Sequence, residues 1–162
     1  MKATGAQMPT LSAIGFKPIR QGSMTLVDTA QVTKSAGVEQ DFFGRPGKRQ
    51  VTVMSQDQWD IVCAEINIQL PWTTRRANLL IEDYSFSAAD VGKLLKIGGL
   101  ELAITGETDP CKKMEIAQAG LEKALTPDWR GGVTCRVLND AQISLGDLVT
   151  ISDTPQQLSF ID

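Results

Sequence analysis

The 162-residue sequence contains no histidine. Nucleophilic catalysis of the Ser-His-Asp or Cys-His type needs an imidazole to take the proton of the nucleophile, so this chain can assemble neither. Zinc sites that mix histidine with cysteine or carboxylate ligands are excluded for the same reason. Whole classes of hydrolase and zinc enzyme are thereby ruled out.

Cysteine is scarce as well, since the chain has only Cys63, Cys111 and Cys135. An odd number of widely spaced cysteines fits neither a disulfide framework nor a four-cysteine zinc site, so we expect reduced thiols. Cys63 falls within a helical pattern and Cys135 within a strand pattern, where a buried packing residue is the usual outcome. Cys111 differs from both in its surroundings.

Long apolar runs and an excess of positive charge are also missing. No stretch approaches the roughly 18 apolar residues of a membrane-spanning helix, and the N-terminus lacks the apolar centre of a signal peptide. The net charge of −3 and the pI near 5.0 provide no overall field that would attract nucleic acid. The sequence therefore predicts a cytoplasmic protein without membrane or nucleic-acid partners.

What the chain does contain is enough apolar material, 42% of its residues, for one buried core. The first residues show no periodicity, so we expect a flexible N-terminus over residues 1–11 and a single domain over 12–162. Runs rich in β-branched residues, punctuated by Gly, Asp and Pro, predict a mainly β fold with a barrel-like sheet. The predicted strands are Ile14–Ile19, Met24–Val32, Gln50–Met54, Asn78–Ile81, Leu94–Ile97, Leu100–Ile104, Val133–Leu138 and Leu148–Ile151.

A few helices interrupt the predicted strands. Ser55 and Gln58 have the spacing of a capping box, so a helix should start at Ser55. The segment Lys112–Leu125 has one apolar stripe with charged residues between, which predicts a second helix. A short third helix should begin at Ser87, with Asp90 at its third position.

The stretch from Ile104 to Glu115 has the clearest chemical potential. It predicts a strand that leaves through a turn and starts a helix at Cys111, with Lys112 and Lys113 beside the thiol. The helix N-terminus and these lysines favour the thiolate, which is the form that binds soft metals or attacks electrophiles. From these surroundings alone, a functional thiolate and a partly buried structural thiol at a strand-to-helix corner are both open.

Cations form a second feature, and many of them lie beside glycine or proline, where flexible backbone allows close approach to a ligand. They are Lys17, Arg20, Arg45, Lys48, Arg49, Arg75, Arg76, Arg130 and Arg136. Arginine binds phosphate through two parallel hydrogen bonds, so a convergent subset would bind a phosphorylated ligand despite the acidic total. Ordinary solvated surface charge is the alternative, and the spacing does not decide between them.

Seven separated segments together resemble the MOSC family, which is named for the C-terminal domain of molybdenum-cofactor sulfurases. In chain order, they are Lys17-Pro18, Gly37 to Asp41, Arg49 to Thr52, Arg76 to Leu80, Pro110-Cys111, Gly131 to Val133 with Arg136-Val137, and Ile143 to Asp147. Each is weak evidence alone, but their number and order make chance agreement improbable. The resemblance extends from about Gly15 to Ile151 and is to a stand-alone bacterial-type member.

The resemblance implies a closed, mostly antiparallel β-barrel with a molybdenum cofactor, a pyranopterin dithiolene with molybdenum, in a positively charged cleft. It implies that Cys111 is the catalytic residue and the metal ligand, and that Arg76 and Asn78 bind the cofactor. Other cofactor-contacting segments of the family correspond to Lys17, Arg49 and Ser55.

The activity that the resemblance implies is that of an oxidoreductase. Its small-molecule substrate would be an N-hydroxylated compound, such as a hydroxylaminopurine, and an external reductase would supply the electrons. The alternative is a non-catalytic carrier that hands the cofactor, or sulfur as a persulfide on Cys111, to a molybdoenzyme or sulfurase. A barrel that has lost its cofactor site and serves only as an interaction module is a third interpretation.

The sequence departs from the family in two respects. Many relatives have a Gly-Asp pair where this chain has Gln40-Asp41, so we expect a local loop difference because glutamine lacks the freedom of glycine at positive φ. The chain also ends soon after the barrel, without a pyridoxal-phosphate sulfurase domain or an iron–sulfur domain. Electrons or sulfur are therefore expected to come from another protein.

Overall fold

The computed structural model describes residues 8–153, and strands dominate it as predicted. The strands are β1 Thr10–Phe16, β2 Thr25–Val27, β3 Thr29–Thr33, β4 Gly37–Val38, β5 Val51–Ser55, β6 Leu79–Glu82, β7 Leu94–Ile97, β8 Leu100–Glu107, β9 Val133–Val137, β10 Ala141–Ser144 and β11 Val149–Ser152. The α-helices are α1 Gln56–Ile66, α2 Lys112–Ala117 and α3 Leu121–Leu125. Shorter 3-10 helices span Trp72–Arg75, Ala88–Asp90 and Pro127–Trp129.

Eight strands form one sheet in the order β11-β7-β8-β9-β5-β6-β1-β2, and β10, β3 and β4 form a second, three-stranded sheet. Neighbouring strands are antiparallel with one exception. β5 and β6 run parallel, with Val53 opposite Leu79 and Ser55 opposite Ile81. A parallel pair needs a crossover connection, and α1 lies within it. The prediction of a mainly β, mostly antiparallel fold is confirmed.

The prediction of a closed barrel is wrong, because the large sheet is an open half-barrel whose edges are β2 and β11. The last three residues of β1 pair with β2, which leaves only the start of β1 free on that side. There β11 approaches through an isolated bridge between Thr10 and Leu148, and Val149 N donates to Pro9 O at 2.9 Å. Closure needs a continuous ladder of pairs, and this contact is too short to provide one.

The large sheet separates two apolar layers, because successive side chains of a strand point to opposite faces. On β5, Val53 belongs to the larger layer inside the curved sheet, whereas Met54 belongs to the smaller layer that packs α1 and α3 against it. Cys63 and Cys135 are buried in these layers, as predicted. Burial raises the pKa of the Cys135 thiol, which keeps it protonated and inert.

Two predicted elements differ from the structure. The single helix predicted over Lys112–Leu125 is wrong, because Gly120 adopts a φ of +88° and separates α2 from α3. The strand predicted over Met24–Val32 divides at Asp28, because β2 pairs with β1 whereas β3 pairs with β10 in the other sheet. In both cases a continuous sequence pattern corresponds to two separate helices or strands in the structure.

The short helix predicted at Ser87 is confirmed as the 3-10 helix Ala88–Asp90, with Ser87 N donating to the Asp90 carboxylate at 3.0 Å. Thr10 and Leu11, which we expected within a flexible N-terminus, lie in β1. Residues 1–7 of that segment lie outside the described residues. Between residues 8 and 153, no helix is long and apolar enough to cross a membrane.

Candidate functional site

Two adjoining cavities form a cleft beside the end of β1 and the start of β6. They share Lys17, which follows β1, Arg76, which precedes β6, and Phe43 from the loop after β4. The inner cavity, of about 190 Å³, is completed by Asp41, Thr52, Arg75 and Asn78. The outer cavity, of about 380 Å³, is completed by Arg20, Gln21, Gly22 and Lys113. The structure thus brings together three of the predicted site residues: Lys17, Arg76 and Asn78.

The cleft concentrates positive charge in a chain that is acidic overall. Lys17 and Arg75 are buried, with 4% and 8% of their surface exposed, and in the described part of the chain neither forms an ion pair. Burial lowers the pKa of Lys17, and the charges of Arg76 and Lys113 lower it further, whereas Asp41 acts in the opposite direction. Asp41 acts on Lys17 and Asp109 acts on Arg75 from beyond ion-pair distance, so an anion in this cleft would meet cations whose charge is only partly offset.

Arg75 is one of the nine candidate cations of the sequence, but neither the residue pattern nor the resemblance assigns it to the cofactor site. Its Nη2 donates to Thr108 O at 3.1 Å and to Gly131 O at 2.9 Å, while its Nε is buried and has no hydrogen-bond partner in the part of the chain that the structure describes. Burial lowers the pKa of Arg75, and a thiolate at Cys111 acts in the opposite direction. Arg75 lies three residues after Trp72, and residues three apart share one face of a 3-10 helix. This spacing was the available sequence signal that Arg75 points inward with Trp72.

Arg76 and Asn78 contribute to the cleft in different ways. Arg76 is exposed, has a φ of +60° at the end of the 3-10 helix, and lines both cavities. Asn78 is buried and joins three strands: its Oδ1 accepts from Thr52 N at 3.0 Å, and its Nδ2 donates to Gly15 O at 3.2 Å. An amide has two N–H donors, so one N–H of Asn78 remains for a ligand.

The thiol of Cys111 is exposed and lies at the N-cap position of α2, as predicted. α2 has only six residues, so its dipole is a small source of positive potential. Arg75 is a second source, since the two groups are close enough to interact electrostatically. Cys111 itself lines neither cavity, whereas Lys113, in the first turn of α2, lines the outer one.

Two predicted cofactor residues, Ser55 and Arg49, line neither cavity. Ser55 is fully buried, and its Oγ donates to Tyr84 O while accepting from Gln58 N at 3.2 Å, so the hydroxyl caps α1. Arg49 is exposed before β5. A role for either residue in cofactor binding stays a prediction.

The loop after β4 packs against Lys17 and contains the departure from the family pattern. Phe42 N donates to Lys17 O at 2.7 Å, and Lys17 N donates to the Asp41 carboxylate at 3.0 Å. Gln40 adopts a φ of +74°, the left-handed conformation that we expected only glycine to supply. The turn is therefore made without glycine, and its hydrogen bonds hold the backbone of Lys17.

Several solved structures share this fold. The YuaD protein from Bacillus subtilis is 17% identical, with a TM-score of 0.68 and 89% of this chain and 96% of that chain covered. YiiM from Geobacillus stearothermophilus is 17% identical, with a TM-score of 0.69 and 88% and 74% covered. YiiM from Escherichia coli is 13% identical, with a TM-score of 0.67 and 90% and 70% covered. At such identities the likeness establishes the fold alone.

A sequence-based model of the MOSC domain matches residues 23–150. A search of curated protein sequences found no significant match. The matched range contains most of the cleft, including Arg75, Arg76 and Asn78, as well as Cys111, and it covers well over half of the chain. The chain therefore belongs to the MOSC domain family.

Proposed function

We propose that the cleft binds the molybdenum cofactor, with which MOSC domains in general are associated. The supporting observation is the pair of buried cations, Lys17 and Arg75, which lack ion-pair partners within residues 8–153. Arg75 also lies close enough to the exposed Cys111 to interact with it electrostatically. An uncompensated buried charge destabilises a fold by several kcal/mol. A ligand with a phosphate group would offset that effect, and a pyranopterin dithiolene carries one.

The donor set fits this cofactor. Lys17 and Arg76 would hold its phosphate, and the free N–H of Asn78 would bind a polar group of the pterin. Cys111 would be the only protein ligand of the metal, through a thiolate. In the described part of the chain no group of three or more His, Cys, Asp or Glu side chains is placed to hold a metal ion, so the other ligands would come from the cofactor.

We further propose that the protein reduces N-hydroxylated compounds. The reaction R–NHOH + 2 e⁻ + 2 H⁺ → R–NH₂ + H₂O breaks the N–O bond, and an external reductase would supply its electrons. When bound, the cofactor provides a metal centre that exchanges two electrons. The chain provides the cations that hold the cofactor, the thiolate that fixes the metal, and an outer cavity of about 380 Å³ for a small substrate.

The exposure of Cys111 supports a second candidate function. An exposed thiol is accessible to another protein, so the domain would carry the cofactor, or sulfur as a persulfide, to a molybdoenzyme or from a sulfurase. In this function Arg75 and Lys17 would hold the anionic cofactor during transfer. No N-hydroxylated substrate would then be reduced.

The test is the molybdenum and pterin content of the protein, purified from a host that makes the cofactor. We expect both in equal amounts, and we expect Cys111→Ser to lose molybdenum and the reduction of hydroxylaminopurine. The matched control is Cys63→Ala, because Cys63 is buried in the apolar layer beside α1 and should leave both intact.

Each proposed function predicts a different outcome of this test. Absence of both molybdenum and pterin from the wild-type protein contradicts cofactor binding. Cofactor without reduction, in the presence of a chemical electron donor, contradicts the reductase and favours the carrier. A persulfide on Cys111 without pterin favours sulfur transfer.

A further inference from the structure

Arg75 connects the two loops that meet behind the cleft. Thr108, whose carbonyl accepts from Arg75, lies three residues before Cys111, and Gly131 lies in the turn before β9. The loops also bind each other, because Thr108 N donates to Gly132 O at 2.9 Å. A Cβ on Gly131 would lie 2.3 Å from Thr108 O, so only glycine permits this approach. One guanidinium group therefore holds the segment that carries Cys111.

The same guanidinium is left incomplete on its other side. Among the described residues, its buried Nε has no hydrogen-bond partner, and neither has the buried Thr108 Oγ1. A buried donor without an acceptor destabilises a fold, and a charged donor does so more strongly than a neutral one. Since Arg75 lines the inner cavity, a ligand there with acceptor oxygens would complete its hydrogen bonds and balance its charge.

We propose that Arg75 couples the binding of a phosphate-like oxyanion in the inner cavity to the position of the Cys111 segment. An anion bound at Arg75 stabilises the orientation in which Nη2 holds Thr108 and Gly131. Without the anion, rotation of the guanidinium that exchanges these carbonyls for water is less costly, so the segment is held less tightly. By linkage, a fixed Cys111 segment strengthens anion binding by the same factor. Arg75 is thus a positioning residue.

This inference rests on the proposed function for the identity of the natural anion, but the coupling is tested on cofactor-free protein. The probe is inorganic phosphate, compared with chloride at equal ionic strength, and the measured quantity is the rate at which iodoacetamide alkylates Cys111. We expect saturating phosphate to slow alkylation at least about fivefold, the lower end of ordinary coupling between sites. No effect of phosphate beyond that of chloride overturns the inference.

Variants separate coupling from simple anion binding. Arg75→Lys keeps the charge but cannot reach both carbonyls and the anion together, so phosphate should bind while its protection of Cys111 is lost. Arg76→Met should raise the phosphate concentration needed but leave full protection at saturation, because Arg76 contacts neither loop through a hydrogen bond recorded for residues 8–153. The exposed Arg136 lies outside the cleft, and Arg136→Met should change neither quantity. Full protection in Arg75→Lys contradicts the proposal.

Hydrogen exchange on the wild-type protein gives a measurement that needs no variant. Phosphate should slow amide exchange in peptides covering residues 106–113 and 129–133, and unchanged exchange in both would overturn the coupling. Failure here is distinct from failure of the proposed function. If the protein contains molybdenum but phosphate has no effect on Cys111, the proposed function stands and the coupling is overturned. If phosphate protects Cys111 but the purified protein lacks the cofactor, the coupling stands and the proposed function is overturned.

Discussion

Arg75 and Arg130 are buried to nearly the same extent, with 8% and 9% of their surface exposed, yet their surroundings differ. Arg130 forms ion pairs with Glu65 at 2.8 Å and Asp128 at 3.7 Å and donates to Ala124 O at 2.9 Å. Within residues 8–153, Arg75 has two carbonyl acceptors, no carboxylate at ion-pair distance and a buried Nε without a hydrogen-bond partner, although Asp109 acts on it electrostatically. Burial alone therefore does not distinguish the two arginines, whereas the presence or absence of a carboxylate at ion-pair distance does.

The largest expected effect is that the two arginines rank in opposite order for the free energy of unfolding and for cofactor content. Arg130→Met should lower the free energy of unfolding by about 2–3 kcal/mol, because it breaks a partly buried ion pair and leaves Ala124 O unsatisfied. Arg75→Met should cost less than about 1 kcal/mol, because losing two carbonyl bonds is offset by removing an uncompensated charge. Urea unfolding of the cofactor-free protein measures both.

Cofactor content should show the opposite order. Arg130→Met should retain molybdenum in the fraction that folds, whereas Arg75→Met should lose it. The contrast between the two residues breaks down if Arg75→Met is the less stable variant and still purifies with cofactor.

A smaller effect concerns lysine and depends on pH. Lys17 is buried without an ion pair in the described residues, whereas Lys93 lies 3.6 Å from the Asp90 carboxylate. Near pH 7, Lys17→Met should raise the free energy of unfolding by about 1 kcal/mol, and Lys93→Met should lower it. Burial lowers the pKa of Lys17 in the folded protein below 10.5, the ordinary value that applies to the unfolded chain. Between the folded-state pKa and 10.5, the unfolded chain binds more protons, so the free energy of unfolding of the wild-type protein rises with pH.

The advantage of Lys17→Met should therefore shrink as the pH rises through that interval. Chemical unfolding at several pH values from 7 upward measures the difference between the variant and the wild-type protein. A difference that stays constant with pH would show that the charge of Lys17 is not the cause.

The smallest effect concerns backbone conformation in the two regions. Gln40 beside the cleft has a φ of +74°, and Asp128 beside Arg130 has a φ of +58°. Gln40→Gly should stabilise the protein by about 0.5 kcal/mol, because relief of the left-handed conformation exceeds the entropy that glycine adds to the unfolded chain. Asp128→Gly should gain less, since it also loses the ion pair with Arg130.

Glu39→Gly is the control for this comparison, because Glu39 is not among the positive-φ residues and glycine there should only destabilise. Thermal or urea unfolding resolves the three variants. Equal losses in Gln40→Gly and Glu39→Gly would argue that the conformation of Gln40 carries no strain.

The sequence was sufficient to predict those site residues that belong to segments resembling the family. Lys17, Arg76 and Asn78 were predicted from separated segments, and the structure brings them to one cleft. The position of Cys111 at the start of α2 also follows from its local sequence, because a strand, a turn and a helix meet there, whereas its exposure was left open. Runs of β-branched residues were enough to predict most of the strands.

Features that depend on the pairing of strands were not predictable. Thr52 lines the inner cavity, and Ser55 lies three residues further along β5, about 10 Å away at the usual rise per residue. Ser55 therefore lies at the end of the strand where α1 begins, away from the cleft. The choice between Arg75 and Arg76 has the same origin, because identical neighbouring residues differ only in which one the fold buries.

The two carbonyls that Arg75 holds lie 33 and 56 residues further along the chain. During synthesis, Arg75 cannot form both hydrogen bonds until Gly131 has left the ribosome, even if the first strands have already paired. Contacts between residues so far apart form late in folding, because the intervening loop must close first. The cleft is therefore completed only after the turn before β9 has folded, and an anion would bind at Arg75 after that step.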